Sequence, residues 1–509
     1  MNNLVMILRI WINDLKQLAL IKHSKHWGRV SLVFLMVIPV FGCFQIQEEE
    51  IIKISEELKK IREEMKNLRV DGIRGETDLP PYVFPGRALN DQLPTVVLET
   101  SAVPKLHVVA PLPNGLGETI WNSSSRSYSP WISYSNGSGI SIRDWNPGKV
   151  VLIWNHNGST QQKAFFGYLD HDFQSHLAIP EWFTHQLSWH YQWQDIPALT
   201  TTTFSDGLYP QAGYIWRDGQ QPRASVFGES FPSNCESTVI DCELREVTWN
   251  GNQWQFINHG VPPAPGRQVN IGIRMGSNSA VWDSNTGRKW VFVAREYEKV
   301  YIRYLDPNQS QAWEWEDLGV PLSHPRDKQR VDSIRPPIAV SRVENGIFKI
   351  NMFSVMAVSE QTLNGLKTRW ELWERHYNGT QWEPWQAHGP APGISYVLEG
   401  SGEYVYGKGF RISSGVVWTD GNTLRINLFG RTDEEGHLIE YFWDGGTWRW
   451  ASNRVHPGGE RFHTNSSAVY DYANGEYISV VGRTTSGEIW EFYWDAPARS
   501  QWEWRKLWP

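Results

Sequence analysis

Two stretches of this sequence carry an arginine and a glutamate at matched positions. Arg431 and Glu440 lie in GRTDEEGHLIEYFW, and Arg483 and Glu491 lie in GRTTSGEIWEFYW. A third glutamate, Glu374 in ELWERHY, has a similar setting without a matching arginine. A guanidinium and a carboxylate offer fixed donors and acceptors to vicinal hydroxyls, while an aromatic face covers the apolar side of a ring. The candidate stacking residues are Trp443, Trp448, Trp494 and Trp382. The same pairs read equally well as salt bridges between structural repeats or as solvated pairs on an outer strand. Tryptophan is the compositional anomaly: of 29 in the chain, 27 follow residue 120. Large flat core residues in each repeat would explain them, and so would indoles that stack on sugar rings; the two uses can coexist.

Other chemistries find less support. The stretch 168–190 holds Asp170, His171, Asp172, His176, His185 and His190, but no dedicated ligand spacing, so it reads as a polar surface loop and no metal is expected. No GxSxG, HExxH or phosphate-cradling loop occurs, and no carboxylate pair is singled out for hydrolysis. FWDGGTW has one residue between Gly446 and Trp448, where the Asp-box turn of sialidases needs two. No cofactor is implied. A net charge of −7 without a basic patch argues against nucleic acid as a partner.

These residues sit in a repeated frame. The phrase WNGNQWQFINHGVP (249–262) recurs as YLDPNQSQAWEWEDLGVP, HYNGTQWEPWQAHGPAP, FWDGGTWRWASN and YWDAPARSQWEWRKL, with two degenerate copies near Trp121–Trp131 and Trp189–Trp193. One marker tryptophan per copy falls at 131, 193, 254, 315, 385, 450 and 504, at intervals of 62, 61, 61, 70, 65 and 54. A period near 60 marks a repeat architecture. The last period contains SSAVYDY, EYISVVGR, EIWEFYWD and QWEWRKL, and the preceding one SGVVWT, LRINLFG, HLIEYFW and TWRWAS. Four short runs with turn residues between them predict four antiparallel strands per repeat. Seven such units over 94–509 predict an all-β, seven-bladed propeller, with a stacked solenoid as the rival; ring closure is favoured because it removes sheet edges.

The phrase, from S-x-x-V-W through W-W-D-G-x-x-W-x-x-W-x-x-L-G, resembles that of the fucose- and O-methyl-sugar-binding propeller lectins of entomopathogenic bacteria. It is more distantly similar to fungal fucose lectins. The likeness covers 200–509 well and 94–199 weakly. It implies a non-catalytic, multivalent carbohydrate-binding protein in which arginine, glutamate and an aromatic residue from adjoining blades hold the sugar. A protein-binding or structural propeller of the cell envelope, or a glycosidase or lyase on a propeller, are the alternatives.

The first 43 residues read as a delivery segment. Lys22, Lys25 and Arg29 precede the apolar run VSLVFLMVIPVFGC, too short to span a membrane comfortably. It ends in Val40-Phe41-Gly42-Cys43, which resembles a bacterial lipobox, with Cys43 as the residue to be lipidated. An uncleaved anchor or a plain cleaved signal would also fit, and all three place the protein outside the cytoplasm, in a bacterial envelope or secreted. Residues 44–71 are expected to be helical: Ile51, Ile54, Leu58, Ile61, Met65 and Leu68 form a heptad seam across 47–69. That seam serves either a short coiled coil that gathers several chains or one amphipathic helix. Residues 72–93 read as a linker. Cys235 and Cys242 suit a disulfide in an oxidising compartment, or a reduced pair.

Overall fold

The computed structural model of the chain describes residues 94–98 and, with internal breaks, 105–508. The delivery segment with Cys43, the helix of 44–71, the linker of 72–93 and the Cys235–Cys242 pair lie outside the described residues.

The described chain is all β. Its strands form successive antiparallel sheets, here numbered I to VII: 95–135, 145–194, 207–260, 273–319, 329–398, 410–450 and 462–508. Each has a four-strand path in chain order, and sheets I, IV and V carry one or two extra short strands beside it. In sheet VI the path is Phe410–Asp420, Thr423–Thr432, Leu438–Trp443 and Trp448–Trp450. In sheet VII it is Phe462–Tyr472, Gly475–Thr484, Ile489–Asp495 and Glu503–Trp508. These coincide with the runs read from the sequence. One strand at the start of each sheet lies beside its counterpart in the next: the first strand in sheets I, II, III, VI and VII, and the extra strands 280–282 and 338–344 in sheets IV and V; the first strand of sheet VII meets that of sheet I. The sheets therefore form a β-propeller of four-stranded antiparallel blades. Sheet II is described by its backbone and, among side chains, by Val150 and Leu152 alone. Blades with described cores thus number six, one fewer than the seven expected, and the shortfall falls on a repeat whose marker phrase is degenerate.

The strand period of two explains the packing. In sheet VII, Tyr477 and Val481 face sheet I, whereas Ile478 and Val480 face sheet VI. Every inner strand is thus apolar on both sides, because each side meets a neighbouring blade. Tryptophans from the third-to-fourth-strand turn fill the space between blades. Trp448 sits 5.3 Å from Phe353 of sheet V, Trp382 5.8 Å from Phe292 of sheet IV, and Trp502 5.6 Å from Phe429 of sheet VI. The turns themselves share one device. Asn122, Asn250, Asn378 and Asp444 each accept two backbone N–H bonds from the residues two and three further on. After the last three comes a glycine at positive φ: Gly251, Gly379 and Gly445.

Candidate functional site

The glutamates singled out by sequence lie inside the blades. Each stands four residues before the turn Asn or Asp, and the same spacing recurs in sheets I and III as Glu118 before Asn122 and Glu246 before Asn250. All five are buried, with 0 to 4% exposure for Glu118, Glu246, Glu374, Glu440 and Glu491. A buried carboxylate needs donors, and each of these finds them. His107 meets Glu118 at 2.6 Å, His259 meets Glu246 at 3.1 Å, and His388 meets Glu374 at 2.7 Å. Asn351 also donates to Glu374. Asn427 donates to Glu440 at 2.7 Å and receives a bond from the Trp418 indole at 2.6 Å. Arg454 stands 3.8 Å from Glu440. Burial raises the Glu440 carboxyl to about 7, against the smaller opposing effects of Asn427 and Arg454. The histidine partners were not foreseen; the spacing of Glu ahead of the turn Asn was the signal available in the sequence.

Glu491 has the fullest set of donors. Tyr128 donates at 2.6 Å, Tyr477 at 2.8 Å and Ser479 at 2.6 Å, all to Oε1, while Arg505 holds Oε2 at 2.8 and 3.1 Å. The Arg505 guanidinium lies 4.1 Å from the Tyr493 ring and 4.6 Å from that of Trp121. Tyr128 and Trp121 belong to sheet I, so this network seals the last blade to the first. Burial, then the charge of Glu491, pushes both Tyr128 and Tyr477 well above the ordinary phenol range. Such phenols are the opposite of activated nucleophiles.

Arginine and glutamate are not brought together. Arg431 is the cross-strand partner of Leu438 and Glu440 that of Phe429; likewise Arg483 faces Ile489 and Glu491 faces Val481. Arg431 stands at the end of its strand, where its Nη1 lies 2.8 Å from Nε2 of His463 in sheet VII. Burial first, then Arg411, lowers its pKa to about 10. Arg483 is 2% exposed and donates to the Gly487 carbonyl at 3.3 Å. Around Arg431 gather Arg335, Arg411 and Arg461, with Asp433 between the first two: Arg335 binds it with both terminal nitrogens, and Arg411 Nε reaches it at 3.0 Å.

Among the tryptophans, Trp443, Trp448, Trp494 and Trp382 are all half-buried. Trp448 stacks on Tyr441 at 5.0 Å with 3° between planes, Trp443 lies 5.7 Å from Trp448, and Trp494 lies 4.5 Å from Trp418. Trp382 and Trp448 act as interblade spacers on their buried sides. Among the described residues, no group of three or more His, Cys, Asp or Glu is placed to hold a metal. The side chains of 168–190 lie outside the described residues.

No protein-family model matches this chain, and no characterised protein matches its sequence. Solved structures with a similar arrangement include a mutant of Aleuria aurantia lectin in complex with alpha-methyl-L-fucoside, 14% identical over 73% of this chain and 97% of that one, at a TM-score of 0.37. The periplasmic gluconolactonase of Pseudomonas aeruginosa is 11% identical over 82% of this chain and 95% of that one, at 0.41. A mutant NanB sialidase of Streptococcus pneumoniae is 11% identical over 79% and 68%, at 0.36. A lectin and two enzymes at such distances assign neither ligand nor reaction, so the functional reading rests on the side chains.

Proposed function

We propose that this chain is a non-catalytic, multivalent carbohydrate-binding propeller of seven blades, with the sheet at 145–194 as the least regular. Lipid on Cys43 would hold it to a membrane outside the cytoplasm, and the 47–69 helix would gather copies, so that weak single sites add through avidity. The observation that carries the reading is the donor-rich cluster around Arg431. It is built from three neighbouring sheets and is reached by solvent through Arg411, whose side chain is 57% exposed, and through the exposed Arg461. Guanidinium forks at a rigid strand end are suited to hydroxyl and carboxyl oxygens. The five buried glutamates, in contrast, are taken up by donors inside the ring, Glu491 partly by Tyr128 of the adjoining sheet. The binding function is accordingly assigned to Arg431 and its neighbours, with Trp443, Trp448, Trp494, Trp382 and Arg483 as supporting or secondary positions.

The test is a glycan array probed with the full chain in detergent micelles. Arg431→Ala should abolish the hits, whereas Glu440→Gln should leave them. A folded full-length protein with no hits, or a Glu440→Gln variant as impaired as Arg431→Ala, would reject this assignment.

A further inference from the structure

Arginines crowd the Arg431 end of sheets V to VII. Arg411 and Arg431 are direct cross-strand partners, which sets two guanidinium groups opposite one another. Like charges so placed destabilise a strand pair. Arg335 arrives from just beyond the strand Gln329–Ile334, and Arg461 immediately precedes Phe462–Tyr472. Beside Arg411, Arg335 and Arg461 also disfavour the charge on Arg431, and Asp433 favours it. That carboxylate is already shared, bound by Arg335 and by Arg411. Nε2 of His463 lies 2.8 Å from Arg431 Nη1, a partner that brings no negative charge. The backbone makes room for the cluster: a Cβ on Gly409 would come within 2.8 Å of both Arg335 Nη2 and Asp433 Oδ2.

Arg411 and Arg431 face one another, Asp433 is held by Arg335 and Arg411, and the Arg411 side chain is open to solvent, where its field attracts a further anion. The flat forks of Arg411 and Arg431 match the paired oxygens of a carboxylate or sulfate. We propose that this cluster binds the carboxylate or sulfate group of an acidic saccharide, an inference that takes the carbohydrate-binding reading as its basis.

The full chain in detergent would be titrated calorimetrically with trigalacturonic acid, with its neutral methyl ester, and with inorganic sulfate. The acid should bind about tenfold or more tightly than the ester, the range set by one charge-assisted hydrogen bond. Arg411→Gln changes an exposed side chain and should fold normally; it should weaken the acid about tenfold more than it weakens the ester. Arg449→Gln, in the fourth strand of the same blade and 63% exposed, should change neither. Equal binding of acid and ester, or an Arg411→Gln variant that binds the acid as well as wild type, overturns the acidic-ligand inference while leaving a neutral glycan in place. Sulfate that raises the melting temperature of wild type but not of Arg411→Gln, with no saccharide bound, upholds the anion site and rejects its saccharide carrier. No response to any of the three probes overturns both.

Discussion

Glu440 allows a quantitative test of how the blades treat buried charge. Its carboxyl moves from an ordinary 4.5 to about 7, burial being the main cause. The folded protein therefore holds a proton that the unfolded chain has lost across that window. Stability falls as pH rises wherever the native state binds more protons. At about 1.4 kcal/mol per pH unit, ionising Glu440 in place costs about 3 kcal/mol by pH 8, an order-of-magnitude figure. The loss is absent below pH 4.5 and complete above about 7. Glu440→Gln keeps an acceptor for Asn427 but removes the titration. The variant should match wild type well below pH 4.5 and exceed it by about 3 kcal/mol at pH 8. Calorimetric melting at several pH values, with the difference between variant and wild type as readout, cancels every other titrating group. Parallel curves would show that Arg454, at 3.8 Å, already holds Glu440 ionised, and the reasoning from burial would fail.

Two further outcomes concern packing. Tyr128→Phe removes one of the three donors to Glu491 Oε1 and should lower stability by about 1–2 kcal/mol, read as a lower melting temperature; no change would mean the join between sheets I and VII is held elsewhere. Trp448→Ala should cost about 2–4 kcal/mol in denaturant unfolding, since Tyr441, Phe353 and His388 all lose their contact. If stability instead holds and glycan binding disappears, Trp448 is a stacking platform and not a spacer.

The fold was legible because its signals are local. The strands of sheets VI and VII follow the period-two runs and stop at Gly- and Asn-marked turns, which depend on a few adjacent residues. The candidate site was legible only in part. Arg431 and Glu440 are nine positions apart, and a two-residue difference in register sends one to a strand end and the other to the blade interior. Register across a hairpin is set by the turn and the bulges, neither of which the residue types announce. Arg335 and Arg461 were missed because they join Arg431 from other sheets, a juxtaposition made by the ring and not by any spacing. The buried partners His107, His259 and His388 were missed for a simpler reason: a single histidine in a strand carries no mark of the carboxylate it will meet.

The blades have a consequence for how such a chain can change over generations. Among the described residues each sheet is encoded by one stretch of the chain, and no strand of the last sheet is borrowed from the first. An in-frame duplication or loss therefore adds or removes a whole module without orphaning a strand. Only the side chains at the seam have to be found anew: Tyr128, Glu491 and Arg505, with Ser466 clasping both the amide and the carbonyl of Val96. Sheet IV shows the tolerance this gives to individual copies, since Ile302 stands there at the position filled by glutamate in five other sheets. One copy can lose its buried acid, and another can gather arginines at its rim, while the ring they share stays intact.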